Sequence, residues 1–414
     1  MKRPVRHAFL PLVLTLALVA TACGRSGHET ARGRVANQTA PPKTQAPPMK
    51  VDLVATSTAM RELWEQNATW TRLDIVSTSS SLPDAQATAE RVLRNQDDIG
   101  AAMKPFYGNE AGTQLTVLMR NYMARAADMI KAARAGDQAS LGRVKRAWYA
   151  NADDVAAFLS RTNPKNWPVD HLKTMLHTNV DETTAEVTHR LKGDYPAEIA
   201  DYDAIEDHDL NLADTLSAGV MAQFPDRVLP PSLPPSQAAF RSAMRKLWEE
   251  HVSWTRFYMV SASSALPDVQ PTADRLLRNQ DDIGAAIKPY YGEQAAARLS
   301  QLLRTHISQT ADLIKAAKAG DQAALGQARD AWYANAGDIA VFLSQANPRN
   351  WSVDQLKTML DIHLDKTIAE LTNRIQGNHE AEVADYDIVE DQILTLADTL
   401  STGIVAQFPE KFTG

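Results

Sequence analysis

Residues 275–292 read RLLRNQDDIGAAIKPYYG, and residues 91–108 read RVLRNQDDIGAAMKPFYG. The likeness extends well beyond this phrase. Residue i and residue i + 184 align without a gap from Met60/Met244 to Pro225/Pro409, and about three in five positions are identical. Self-similarity over a stretch this long is a tandem duplication of a whole unit. Each copy, at about 175 residues, has the size of an ordinary domain. The joint is the proline-dense DRVLPPSLPPS at 226–236, which predicts an irregular connection.

Within the second copy every boundary signal is helical. A periodic run from Gln237 stops at Leu266-Pro267, and Asp268 stands where it can cap a second helix ending near Lys288, before Pro289. Gly292 and Gly320 bracket a third helix, and Asp321 caps a fourth that ends at Asn347-Pro348. Ser352 and Gln355 form a capping box for a fifth that ends at Gly377, and a sixth runs from about Glu380 to Ala406. Strand-like alternation is lacking. The reading is all-α: two tandem antiparallel helical bundles of about six helices each, at 51–226 and 237–414, joined by a linker at 227–236.

The N-terminus carries an address. Lys2, Arg3 and Arg6 precede an apolar stretch from Ala8 to Ala22, the pattern of an export signal. Its 15 residues fall short of the roughly 20 that a membrane-spanning helix needs. The single cysteine of the chain, Cys23, follows Ala20-Thr21-Ala22, an arrangement that resembles the processing box of bacterial lipoproteins. That resemblance implies a diacylglyceryl-modified Cys23 holding the protein to the bacterial cell membrane or outer membrane, facing the periplasm or exterior. Several acyl chains give stable anchoring, since each buried methylene adds about 0.8 kcal/mol. Residues 23–50, rich in Pro, Ala and Thr, read as a flexible tether.

Composition narrows the function classes. With 44% hydrophobic and 22% charged residues the chain is of ordinary globular make-up. Removing residues 1–22 removes three positive charges and no negative ones, taking the net charge from −7 to −10. An acidic protein of this kind is a poor nucleic-acid binder. A lone cysteine provides no disulfide, no haem-attachment motif and no cysteine-rich zinc site.

On a helical wheel each helix of the second copy centres one polar residue on its apolar face: His251, Gln280, His306, Asn335, His363 and Glu390. Buried polar groups need partners, so these residues are expected to meet one another or a bound species. Three imidazoles and a carboxylate, His251, His306, His363 and Glu390, form a ligand set suited to Zn, Fe or Cu. The same residues also suit a hydrogen-bonded core network that fixes helix register. In the first copy the histidine positions hold Asn67, Tyr122 and Asn179, while Gln96, Asn151 and Glu206 are unchanged, so any metal site belongs to the second copy alone. Thr255, Thr310 and Thr367, each four residues after a histidine, could support a ligand or bond the helix backbone. Arg278 and Asp282 are expected to pair on the helix surface. Catalytic motifs are not apparent. Glu186-x-x-His189 is half of a di-iron pattern, and the Asp-Tyr-Asp at 201–203 and 385–387 reads as helix-start charge preference.

Each copy resembles a family of short, single-unit helical bacterial proteins without a settled activity. The matching elements are LWEEHVSWTR (247–256), RLLRNQDDIG (275–284), KPYYG (288–292), LLRTHI (302–307), WYANAGDIAVFL (332–343), IHLD (362–365) and GIVAQFP (403–409). The resemblance implies histidines at positions 251, 306 and 363 with a shared role. The expected function is a membrane-anchored envelope module that binds a ligand or serves as structure, with a metal-binding or redox bundle in the second copy as the other reading.

Overall fold

Helix-forming residues bounded by Asp, Ser, Gly and Pro signals give the computed structural model its all-α architecture, which describes residues 50–413. The export signal, Cys23 and nearly all of the tether lie outside these residues. Repeat 1 consists of α1 (Leu53–Ser79), α2 (Ala85–Arg134), α3 (Gln138–Thr162), α4 (Val169–Lys192) and α5 (Tyr195–Gln223). Repeat 2 consists of α6 (Pro235–Ser264), α7 (Val269–Ala319), α8 (Gln322–Ala346), α9 (Val353–Gln376) and α10 (His379–Gln407). Within each repeat consecutive helices pack side by side across short connections, and the last helix closes against the first. No described helix is long and apolar enough to cross a membrane.

The second and third helices expected in each repeat run together as one long element with a sharp break. Gly108 and Gly292, with φ of 86° and 82°, mark the bend, three residues after Pro105 and Pro289. The capping box holds, with Ser352 accepting from the Gln355 amide at 3.1 Å, and Asp321 caps α8. Asp268 makes no side-chain cap to α7, because its carboxylate takes Arg190 of the other repeat. The proline-dense joint is less irregular than its composition implies. Val228–Leu229 form a two-residue strand, β2, parallel to β1 at Val51–Asp52, and Pro235 opens α6, where a proline costs no helix bond.

Motifs shared by the repeats are internal joints. In NPxNW the Asn163 amide donates to the Gly219 carbonyl at 2.7 Å, and Trp167 Nε1 donates to Thr215 O at 3.2 Å. Asn347 and Trp351 repeat both bonds on Gly403 and Thr399. A Cβ on Gly219 would come within 1.9 Å of the Trp167 ring, so glycine alone fits there.

The two repeats share one compact unit and a buried seam. Across it Trp70 meets Tyr386 edge-on at 5.5 Å, and Trp254 meets Tyr202 at 5.4 Å. The Arg256 guanidinium lies 4.9 Å from both Trp70 and Tyr386, and Arg72 lies 5.1 Å from Trp254 and Tyr202. Each arginine is 1% exposed and is neutralised by two carboxylates of its own repeat: Arg72 by Glu186 and Glu198, and Arg256 by Glu370 and Glu382. Arg91 pairs with Asp387 and Arg275 with Asp203, each at 2.9 Å. Arg190 reaches Asp268 at 2.9 Å, and Arg374 reaches Asp84 at 2.7 Å. Every one of these contacts maps onto its counterpart by adding or subtracting 184, so this part of the seam is two-fold symmetric to the level of side chains. The Asp-Tyr-Asp motifs supply Asp203, Asp387 and both seam tyrosines, so their repetition has a structural cause.

Candidate functional site

The three histidines of repeat 2 come from α6, α7 and α9 and converge in its interior. His251 has its ring centroid 6.5 Å from His306 and 6.1 Å from His363, and all three are at most 6% exposed. Trp332 lies 4.9 Å from the His306 ring, and Trp248 lies 5.6 Å from His251. Burial drives the imidazoles toward the neutral form, with His251 pushed down to about 4 and His306 to about 3. His363 is pushed well below its ordinary value by burial and by the other two rings.

Neighbouring amides fix which nitrogen carries the proton. Gln280 Nε2 donates to Leu276 O at 2.9 Å and to Asn279 Oδ1 at 3.0 Å, so its Oε1, 3.0 Å from His251 Nδ1, must accept. Asn335 Nδ2 donates to Leu302 O at 3.2 Å, so its Oδ1 accepts from His306 Nδ1 at 2.9 Å. Both rings are therefore Nδ1–H tautomers whose Nε2 carries a lone pair, the orientation that an amide behind a ligating histidine produces. His363 Nδ1 has no hydrogen-bond partner. Thr255, Thr310 and Thr367 bond the carbonyl of the histidine one turn earlier, at 2.6, 3.0 and 2.9 Å, which assigns them to the helix backbone.

Repeat 1 fills the same place with a network centred on Asp209, in which the Gln96 and Asn151 amide oxygens alone stay unpartnered. Asn67 and Asn179 each donate to Asp209 at 2.9 Å, Tyr122 donates to Asn179 Oδ1 at 2.8 Å, and Gln96 donates to Asn67 Oδ1 at 3.0 Å. Asp209 was not singled out from the sequence, and its counterpart in repeat 2 is the apolar Ile393. Burial pushes Asp209 up to about 7, outweighing the two amides that favour its charged form. Asn151 is only peripheral here, donating to Leu118 O at 3.5 Å. The useful sequence signal was a coordinated change: three histidines and one isoleucine in one copy against two asparagines, a tyrosine and an aspartate in the other.

Glu390 and Glu206 have other partners. Glu390 accepts from Gln66 of repeat 1 at 3.0 Å and abuts Glu249; burial and each other's charge push Glu249 well above the usual carboxylate range. Glu206 lies 3.3 Å from Lys246 of repeat 2. Both glutamates belong to the seam. Arg278 pairs with Asp203 across it at 3.2 Å, while Asp281, not Asp282, takes a surface cation, Arg304. The di-iron half-motif is divided as well: Glu186 holds Arg72, and His189 holds Asp201 at 2.5 Å.

The imidazole trio is wider than a bound ion would have it, since rings on one tetrahedral ion place their centroids roughly 5 Å apart. Among the described residues no group of three or more His, Cys, Asp or Glu side chains stands in metal-holding geometry. What the trio offers chemically is two fixed lone pairs and one unsatisfied ring in an enclosure without charge. No protein-family model, curated protein or solved structure matches the chain.

Proposed function

We propose that this is an exported, lipid-anchored module of the bacterial cell envelope, held by Cys23, in which repeat 2 carries a binding site and repeat 1 is its structural copy. The observation that carries the reading is the contrast of the two interiors. In repeat 1 Asn67, Tyr122 and Asn179 bond to one another or to Asp209, with the Gln96 and Asn151 amide oxygens left over, whereas repeat 2 turns the Nε2 atoms of His251 and His306 away from their amides and leaves His363 Nδ1 buried without a partner. Three converging imidazoles with basic nitrogen free are groups that a ligand can use, and an unpartnered buried nitrogen calls for an explanation. The address is tested by changing Cys23→Ser in the full chain: lipid labelling and removal of residues 1–22 should both be lost, and continued lipid labelling would refute the anchor.

A transition metal is the second reading, favoured by the tautomers. The amides behind His251 and His306 aim lone pairs as they do for metal-ligating imidazoles. Zn, Fe and Cu all accept imidazole nitrogen. With Ile393 in place of an aspartate there is no carboxylate beside the rings to offset a second positive charge. Desolvation rises steeply with charge, so monovalent copper suits this enclosure better than a divalent ion. Binding would draw the rings inward by about an ångström, the gap between their present spacing and that of a tetrahedral site.

A further inference from the structure

The seam carries information beyond the site. Twelve of the side chains in its ring, cation–π and cross-repeat ion contacts are identical in the two copies: Trp70/Trp254, Arg72/Arg256, Asp84/Asp268, Arg91/Arg275, Tyr202/Tyr386 and Asp203/Asp387; Phe257, edge-on to Tyr202, is an exception and stands where repeat 1 has Leu73. Arg190/Arg374 is conserved between the copies in the same way. A surface that contacts its own equivalent, residue i against j and j against i, is the isologous interface of a two-fold dimer.

Near the centre of this surface the copies diverge in charge. Lys246 bonds Asp207 at 2.8 Å and lies 3.3 Å from Glu206, both of repeat 1, and 3.1 Å from Glu250 of its own helix. Its counterpart is Glu62, which pairs across the seam with Arg245 at 2.8 Å. Glu250, held also by Arg275, corresponds to Gln66, which accepts from Arg91 and donates to Glu390. Two copies of repeat 1 would face each other with Glu62, Glu65 and Glu206 from both sides and no lysine among them. Two copies of repeat 2 would each present Lys246 to the other's Glu390.

We propose that the seam is a homodimer interface carried within one chain. A single repeat recognises a second copy of itself through it, and the charges at 62/246 and 66/250 disfavour the pairing of repeat 1 with repeat 1. Like charges facing each other suppress that pairing, while the opposite charges at Lys246 support any pair that contains repeat 2.

A charge exchange in the full chain tests this. Lys246→Glu alone places a carboxylate among Glu206, Asp207 and Glu250 and should lower Tm by roughly 5–10 °C. Adding Glu62→Lys, Gln66→Glu and Glu250→Gln moves the whole charge set to the symmetry-related side, where Arg91, Glu390 and Asp391 await it. Tm should then return to within about 2 °C of the parent. A fourfold variant as unstable as Lys246→Glu overturns the symmetry claim. In a second arm, a protease site at 230–234 cuts the chain, and tagged and untagged cut chains are mixed in mild denaturant and returned to buffer. Tagged repeat 2 should retain both untagged repeat 1 and untagged repeat 2, and tagged repeat 1 should retain repeat 2 in excess over repeat 1. Recovery of repeat 1 alone on tagged repeat 2 would refute self-pairing, and equal recovery of both repeats on tagged repeat 1 would refute the charge preference.

Discussion

In repeat 1 the interior is Asn67, Tyr122 and Asn179 gathered on Asp209; in repeat 2 it is His251, His306 and His363 beside Ile393, on matching positions of matching helices. The backbone frame, the supporting amides Gln96/Gln280 and Asn151/Asn335, and the seam are common to both. Both frames keep unpartnered acceptors, amide oxygens on Gln96 and Asn151 in repeat 1 and imidazole nitrogen in repeat 2. Only the second kind is basic and convergent, which is what supports the ligand site proposed for repeat 2.

The largest effects should fall where the repeats are alike. Arg256→Ala and Arg72→Ala each leave one buried carboxylate, Glu370 or Glu186, without its guanidinium and a second, Glu382 or Glu198, with one arginine in place of two, at a cost of about 3–5 kcal/mol. Denaturant unfolding should give similar losses for the pair, and a large loss for only one would break the symmetry.

Next come the interiors. Asp209→Ile imitates repeat 2 but strands the Asn67 and Asn179 amides, so unfolding should show about 2–4 kcal/mol lost. The converse graft, His251→Asn, His306→Tyr, His363→Asn and Ile393→Asp, closes repeat 2 in the manner of repeat 1. It should raise stability by about 1–3 kcal/mol. A graft that destabilises the chain would show that the histidines already serve as a satisfied structural network.

Acid distinguishes the copies by sign. His251 and His306, depressed to about 4 and about 3 from 6.5, bind protons more readily when unfolded. Their contribution is complete above pH 6.5 and is lost as pH falls through 6.5 toward 4 and then 3. Asp209, raised from 3.8 to about 7, does the opposite: its contribution is complete below 3.8 and is lost as pH rises toward 7. The parent should therefore weaken steeply below pH 6.5 in thermal melts, and the graft should not. At the small end, Arg278→Ala removes an exposed partner of Asp203 and should cost a few tenths of a kcal/mol.

Helix positions, the duplication and the convergence of the histidines were legible because hydrophobic periodicity and caps are local signals that survive in one sequence. Glu390 was read as facing the same centre as the histidines because its wheel position is equally apolar on both sides. A wheel gives direction from one axis and cannot tell a repeat's own core from a seam with another. Asp268 and Arg278 looked like a cap and a surface pair for the same reason, since their partners, Arg190 and Asp203, come from the other repeat. Asp209 was hidden among the acidic residues of α5, where only its replacement by Ile393 marks it out.

The decisive measurement is metal content. The parent chain and the fourfold graft are incubated with Zn(II), Fe(II) or Cu(I), freed of excess ion and analysed for ion bound per chain. One ion per chain in the parent, with copper retained best, and none in the graft is the expected result. Equal retention by parent and graft, or none by either, would contradict a metal site in repeat 2.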